Sequence, residues 1–584
     1  MNANKQTNRV DPQLIAVARG DEPADLLLTG GRVVNVFTRT IEESQIAIYG
    51  QRIAGVGPDY HIAREVVDLA GAYVSPGLID AHMHVESTQM RPSDFCRVVV
   101  PRGMAGAVFD PHEIANVLGI EGIKFLMEDA LGLPMNCFFA ASSCVPASPL
   151  ETSGTTLLAE DLEQLFHEPQ IIALAEMMNF PGVVNADPSV LAKVALGISH
   201  GIVDGHCPQL RGMGLQAYLS SGISSDHECT TAEEAQEKLA AGMRIYIREG
   251  SAAKNLEALL PLVTPANASR FSFCTDDRDP VDLHEEGHLD HVVRKSVRLG
   301  LDPATALAMG SLHTAEHYGL RDYGAIAPGR YADLFICDDL KTLRPSMVLH
   351  HGRVVARDGC LTTDLPAPIA VPKHMLNTVA LPKDLSEKSL VVSAPDDLGL
   401  IKVIHMMPGQ IVTGSLDMTP AVVKGEIVSD TVQDVIKTAV IERHHGTGNI
   451  GLAFVHGFGI TNGALASTVG HDAHNLAVVG TNDADMICAA NALAATQGGQ
   501  CVVQDGQVLA VVPLSLAGLI SVESTSALVE GRRLLAQACD QIGCTLPDPT
   551  MALSFMPLSV IPHLKVSDQG LIDVNQFQIV GIAS

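Results

Sequence analysis

The stretch Ser75-Pro-Gly-Leu-Ile-Asp80-Ala-His82-Met-His84-Val-Glu86 decides how the rest of the chain is read. A Pro-Gly turn launches a short apolar run with the texture of a buried strand, and the run ends in two histidines one residue apart. Side chains alternate faces along a strand, so His82 and His84 project to the same side, about 6–7 Å apart along the backbone. That spacing lets both imidazoles reach one metal ion. A lone His-x-His pair is weak evidence by itself, because such pairs also arise on solvated strands, so the remaining ligands must come from elsewhere in the chain.

Outward from this stretch, the texture repeats. Apolar strand candidates at 78–82, 106–110, 136–140, 171–176, 201–205, 222–225, 243–247 and 271–275 alternate with helical segments. One helix is expected over 231–241, where Thr230 or Thr231 can cap and Glu233-Glu234 suits an N-terminus. Eight such βα units in roughly 250 residues are the size of a (β/α)8 TIM-like barrel. The fold class expected is therefore α/β. On either side of the barrel lie short strands with Gly turns, in 1–75 and again in 324–365, each containing a Gly-Arg-Val-Val. These flanks are expected to pair into a small β-sandwich around a barrel spanning 76–323. Pro366 to Pro372 reads as a linker, and 373–584 as a further C-terminal α+β domain, with a strand at 508–513 and a helix at 524–541.

Composition narrows the function. The 584 residues carry 38 basic and 66 acidic side chains, for a formal charge of −28. That balance argues against a nucleic-acid footprint or an anionic-membrane partner. No apolar h-region opens the chain, and the longest apolar run, around 508–522, is broken by Pro513 and too short for a span. The twelve cysteines include no Cys-x-x-Cys pair and read as reduced thiols. The expectation is a cytoplasmic enzyme.

Active residues of a barrel sit at the C-terminal ends of its strands. Six candidate strands end in His, Asp or Glu: His82 and His84; Asp110-Pro-His112-Glu113; Glu176; Asp204-Gly-His206; Asp226-His227-Glu228; and Asp276-Asp277. His82, His84, Glu176, His206, His227 and Asp276 supply four imidazoles and two carboxylates, enough for two divalent ions sharing a bridge. Without thiolate, and with this carboxylate share, Mn or Fe is favoured, while Zn is compatible with the same donors.

These residues sit in longer motifs. Pro-Gly-Leu-Ile-Asp-Ala-His-Met-His, the later lone histidines and the terminal Asp276 resemble the amidohydrolase superfamily. Within it, the stretches Phe109-Asp-Pro-His-Glu-Ile-Ala-Asn, Ala175-Glu-Met-Met-Asn-Phe-Pro-Gly-Val, Asp204-Gly-His-Cys-Pro, Ser225-Asp-His-Glu and Phe273-Cys-Thr-Asp-Asp resemble the bacterial adenine deaminase family. The likeness continues through Arg443-His-His-Gly-Thr-Gly-Asn-Ile-Gly and Gly470-His-Asp-Ala-His-Asn, so it covers nearly the whole chain. Many superfamily members bridge their metals with a carboxylated Lys. Here that position carries Glu176, which counts against a cyclic-amidase reading.

The resemblance implies hydrolysis of adenine to hypoxanthine and ammonia by a hydroxide shared between two metals, attacking C6. It assigns His82 and His84 to one ion, His206 and His227 to the second, Glu176 to the bridge, and Asp276 to a metal contact and proton shuttle. A second acid must protonate the ring nitrogen, and spacing nominates Glu113. His112, Glu86 and His471 are candidates for substrate contact. The alternatives are a related hydrolase of another amino-purine, a pterin or a cyclic amide, and a non-catalytic barrel. A homodimer or tetramer is expected. His284, His288 and His291, at i, i+4 and i+7, are expected on one solvated helical face. The His- and Gly-rich segment 443–474 is expected to act as a lid or wall over the barrel mouth.

Overall fold

The computed structural model describes residues 10–584; the polar opening stretch 1–9, searched above for an export segment, lies outside them. The flanking β segments share one nine-stranded sheet. Its members include Ala24–Asn35, Thr40–Tyr49, Arg52–Gly57 and Tyr73–Pro76 from before the barrel, and Leu334–Cys337, Pro345–His350 and Arg353–Arg357 from after it. The join is antiparallel, with Phe335 opposite Ser75, so the residue that opens the decisive stretch is fixed by a strand 260 positions later. Leu28, Val33, Ile46, Ile48, Val74, Leu334 and Ile336 make this sheet's apolar layer.

Between the flanks lie eight parallel strands in a TIM-barrel-like α/β arrangement: Leu78–Met83, Met104–Phe109, Asn136–Ala141, Ile171–Met177, Ile202–Gly205, Ser225–Asp226, Arg244–Arg248 and Phe271–Cys274. The first five form one parallel sheet and the last three another. The first and last strands meet at a parallel bridge between Met83 and Asp276, where Asp276 N–H donates to the His82 carbonyl at 3.1 Å. At the other seam Gly205 N–H donates to Ser225 Oγ at 3.2 Å. Met104–Phe109 is buried at every position, as a parallel strand covered on both faces must be. The Pro-Gly turn requires its glycine, because a Cβ on Gly77 would lie 2.4 Å from the Ala105 Cβ. Helix Ala232–Ala240 follows the sixth strand, capped by Thr231, whose hydroxyl accepts the Glu234 N–H at 3.3 Å.

The solvated face expected for His284, His288 and His291 is corrected at its centre. Gly287, with φ of +110°, separates helix Pro280–Glu285 from helix Leu289–Arg298, so the three histidines do not share one helix. His288 is fully buried, edge-on to Phe95 at 5.0 Å and 2.9 Å from Asp80.

The C-terminal region is built on an eight-stranded, mostly antiparallel sheet with helices Asp483–Ala495 and Thr525–Gln541 against it. It docks on the loop after the third barrel strand. Thr152 N–H donates to Asp568 Oδ1 at 2.9 Å, Asn475 donates to the Thr152 carbonyl at 2.8 Å, and the hydroxyls of Ser148 and Ser559 meet at 2.7 Å. On the opposite rim Arg532 pairs with Asp279 at 2.6 Å. No helix among the described residues is long and apolar enough to cross a membrane.

Candidate active site

Strand ends bring His82, His84, Glu176, His206, His227 and Asp276 together, each at most 4 % exposed. Glu176 stands in the middle with its two oxygens facing different partners. Oε1 lies 3.6 Å from His82 Nε2 and 3.3 Å from His84 Nε2. Oε2 lies 2.5 Å from His206 Nδ1 and 3.2 Å from His227 Nε2. Asp276 closes the ring, 3.2 Å from His84 Nε2 and 3.3 Å from His227 Nε2. Its backbone is left-handed at φ of +58°, a sparsely populated conformation for a non-glycine residue, held by main-chain bonds to His82 and His84.

The donors fit divalent ions. The Nε2 atoms of His82, His206 and His227 are buried and make no hydrogen bond, a costly state for polar atoms that nothing coordinates. Overlapping sets, among them His82 with His84 and Asp276, and His82 with Glu176 and His227, keep their ligand atoms within 4.8 Å of one another. Around them, His84 Nδ1 meets the Asp110 carbonyl at 2.9 Å, which fixes the ring so that Nε2 faces the centre. Burial works against ionised Glu176, yet the His206 and His227 imidazoles hold its carboxyl well below the usual range. Both oxygens are therefore available as anionic ligands.

His112 and His471 line the same cavity, and Glu113 stands behind His471 without lining it. Glu113 accepts from Ser87 Oγ at 2.9 Å and lies 3.6 Å from His471 Nδ1; burial pushes its carboxyl up, against the opposing pull of His471. His112 lies 3.3 Å from Asp110, 3.7 Å from Glu176 and 3.5 Å from Asp472. Glu86 takes another position. It does not line the cavity; its Oε1 accepts the Ile114 N–H at 3.1 Å, at the start of the helix that carries Glu113. Burial and the charge of Glu113 raise the Glu86 carboxyl to about 8.

Sequence reasoning missed several residues. Arg248, fully buried at the end of the seventh strand, contacts Glu228, lies 2.6 Å from Asp276 and 2.9 Å from Asp277. The apolar run 243–247 does end in a charged residue, but a cation falls outside the His, Asp and Glu pattern of a metal site. Asp472, Phe555, Ile411 and Leu558 come from the C-terminal region and complete the cavity wall. Phe555 lies flat against His471, with ring centroids 4.4 Å apart. Nothing in an apolar Phe555 or Leu558 marks it as a wall residue before its place in space is known. The free space among these groups is about 20 Å³, room for about one water and less than a purine fills. A wider cleft, about 1330 Å³, lies on the flank beside Arg97, Arg294 and Arg344 and contains none of these groups.

Comparison with known proteins gives this centre a family. The amidohydrolase family matches residues 73–363, and the adenine deaminase C-terminal domain matches 410–578. An adenine deaminase of Desulfatibacillum aliphaticivorans is 46 % identical over 574 residues, covering 98 % of this chain and 100 % of that one. The chain belongs to the adenine deaminase family. Two further adenine deaminases, from Kosmotoga olearia and Brucella anthropi, are each 44 % identical, over 96 % and 97 % of this chain. Membership in the adenine deaminase family, which is metal-dependent as part of the amidohydrolases, agrees with the clustered donors of the barrel mouth.

Proposed function

We propose that this chain hydrolyses adenine to hypoxanthine and ammonia. The observation that carries the reading is the Glu176 carboxylate, with one oxygen turned to His82 and His84 and the other to His206 and His227. That geometry suits two divalent ions, Mn or Fe by the mix of imidazole and carboxylate, with His82, His84 and Asp276 on one side, His206 and His227 on the other, and Glu176 between. Such a pair, when bound, lowers the pKa of a water and so supplies a nucleophile at neutral pH.

The remaining chemistry belongs to side chains. As the water oxygen adds to C6, the Asp276 carboxylate takes its proton and later hands it to the departing amine, which leaves as ammonia. Burial opposes the Asp276 charge, but Arg248 and His84 hold this carboxyl well below its ordinary range and so keep it ionised. Glu113, whose carboxyl burial pushes up, acts as the acid that donates to the ring nitrogen next to C6 and recovers a proton from the C6 hydroxyl as the carbonyl forms. Ser87 orients Glu113 from one side, and His471, backed by Phe555, faces it from the other. His112, between Glu176 and Asp472, is placed to contact the substrate.

The same reading extends to the frame. The two parallel sheets close as one (β/α)8 barrel, supported by the Met83–Asp276 bridge, and the chain divides into 1–75, 76–323, 324–365 and 373–584. The enzyme works in the cytoplasm as a homodimer or tetramer.

The test pairs activity with metal analysis. Mn-loaded protein is expected to release equal amounts of ammonia and hypoxanthine from adenine, whereas Glu176→Gln is expected to lose activity together with bound metal. Metal-replete wild-type protein that leaves adenine unchanged would overturn the reading.

A further inference from the structure

The segment Met347-Val-Leu-His350-His351-Gly, in the nine-stranded sheet, ends in two histidines that the barrel mouth does not use. His350 is the last residue of strand Pro345–His350. The next side chain along a strand would point to the other face. Instead His351 has φ of +48°, and its ring turns back to stack on His350 with centroids 4.0 Å apart. Both rings then face Asp333. His350 Nδ1 lies 3.4 Å from Asp333 Oδ1, and His351 Nε2 lies 3.8 Å from Oδ2.

A purely structural pair would donate a ring N–H to the carboxylate, and neither ring does. His350 Nδ1 and His351 Nε2 are buried and make no hydrogen bond. The three donor atoms lie within 4.8 Å of one another, in side chains 5, 14 and 25 % exposed. Two ligands about 2.0–2.1 Å from a tetrahedral ion are themselves about 3.4 Å apart, the separation found between His350 and Asp333. The carboxylate is already oriented: the His351 N–H donates to Oδ1 at 2.6 Å and Asn136 Nδ2 to Oδ2 at 2.8 Å, which leaves one lone pair on each oxygen. Arg52 lies over the Tyr331 ring, which stacks on His351, and is paired with Asp322 at 3.1 Å.

We propose that Asp333, His350 and His351 bind one divalent transition-metal ion of the Zn²⁺ class, separate from the barrel-mouth centre. Two imidazoles and one carboxylate are a borderline-soft set that suits such an ion, with solvent completing the coordination. The site is structural. The Asp333 carbonyl accepts the Gly77 N–H at 3.0 Å, and Asn136 opens the third barrel strand. The ion therefore ties the flanking sheet to the N-terminal ends of the barrel strands, on the face away from the catalytic mouth.

The test uses full-length protein stripped by chelator, reloaded with Zn²⁺ and desalted, with zinc counted per chain. Wild type is expected to hold one zinc more than His351→Asn or His350→Gln. Asn tolerates the left-handed backbone at 351, and both variants should keep kcat within about 2-fold because neither residue touches the catalytic centre. A zinc count equal in wild type and both variants overturns the proposal. A second reading needs no variant: diethylpyrocarbonate modification of His350 and His351, mapped by mass spectrometry, should fall at least 5-fold when Zn²⁺ is present. Unchanged modification also overturns it. The comparison reads a difference of one ion, so it holds whether or not the protein deaminates adenine.

Discussion

Arg248 Nη1 lies 2.6 Å from Asp276 Oδ2, and neither side chain reaches solvent. The same guanidinium also holds Glu228 and Asp277, so one buried cation offsets three carboxylates beside the metal ligands. Replacing it with Met leaves those charges unpaired. Arg248→Met is expected to lower stability by about 3–5 kcal/mol, read as a drop in the urea midpoint. Arg248→Lys, which restores the charge but not the fork, should recover part of the stability and less of kcat.

Glu113 is proposed to move protons without holding an ion. Glu113→Gln should lower kcat by about 10²–10⁴-fold while metal content stays at the wild-type value. Loss of metal along with activity would place Glu113 among the ligands instead. Ser87→Ala, which removes one hydrogen bond to the same carboxylate, should cost less than the Gln variant.

The free space at the centre is about 20 Å³, less than adenine fills, so admission of substrate is expected to shift the C-terminal wall outward. Ser148 and Ser559 sit across the moving junction with hydroxyls 2.7 Å apart. A double Ser148→Cys, Ser559→Cys variant should form a disulfide on oxidation and lose turnover, with activity returning after a thiol reductant. Full activity in the oxidised, crosslinked form would show that substrate enters another way.

Glu151 lies in that junction, where Ser148 N–H and Ser559 Oγ donate to it at 3.2 and 3.1 Å. Burial, reinforced by the charge of Asp472, raises its carboxyl to about 8. The folded pKa exceeds the unfolded value of about 4.5, so the folded protein binds more protons between pH 4.5 and 8. The stability that Glu151 contributes is thus complete below about pH 4.5 and lost as pH rises through 8. Glu151→Gln should remove that decline, and wild type and variant midpoints should diverge across this window when denaturation is followed against pH.

Much of the barrel is legible in the sequence. Most of its strands are buried on both faces, which writes them as apolar runs, and the His, Asp or Glu that ends six of them marks the mouth. That is why His82, Glu176, His227 and Asp276 could be named from strand ends. The eight strands followed in the expected order, although the sixth is only Ser225–Asp226. What sequence could not place were contacts made across long separations. Phe555 reads as one more core residue until it stacks on His471, and Arg248 reads as a strand end until it meets Asp276. His288 failed for a local reason: a helical period was projected through Gly287, where the backbone leaves the helix.

The docking of the C-terminal wall has a temporal consequence. All six proposed metal ligands precede residue 277, whereas Phe555, Leu558 and Asp568, which close and fasten the mouth, come roughly 280 residues later. At about 5–20 residues per second, that gap is on the order of 15–60 s of synthesis. During it the nascent barrel can hold a full ligand set open to solvent. Ion loading on the ribosome meets no cover, whereas an ion that reaches the finished chain must first pass the C-terminal wall.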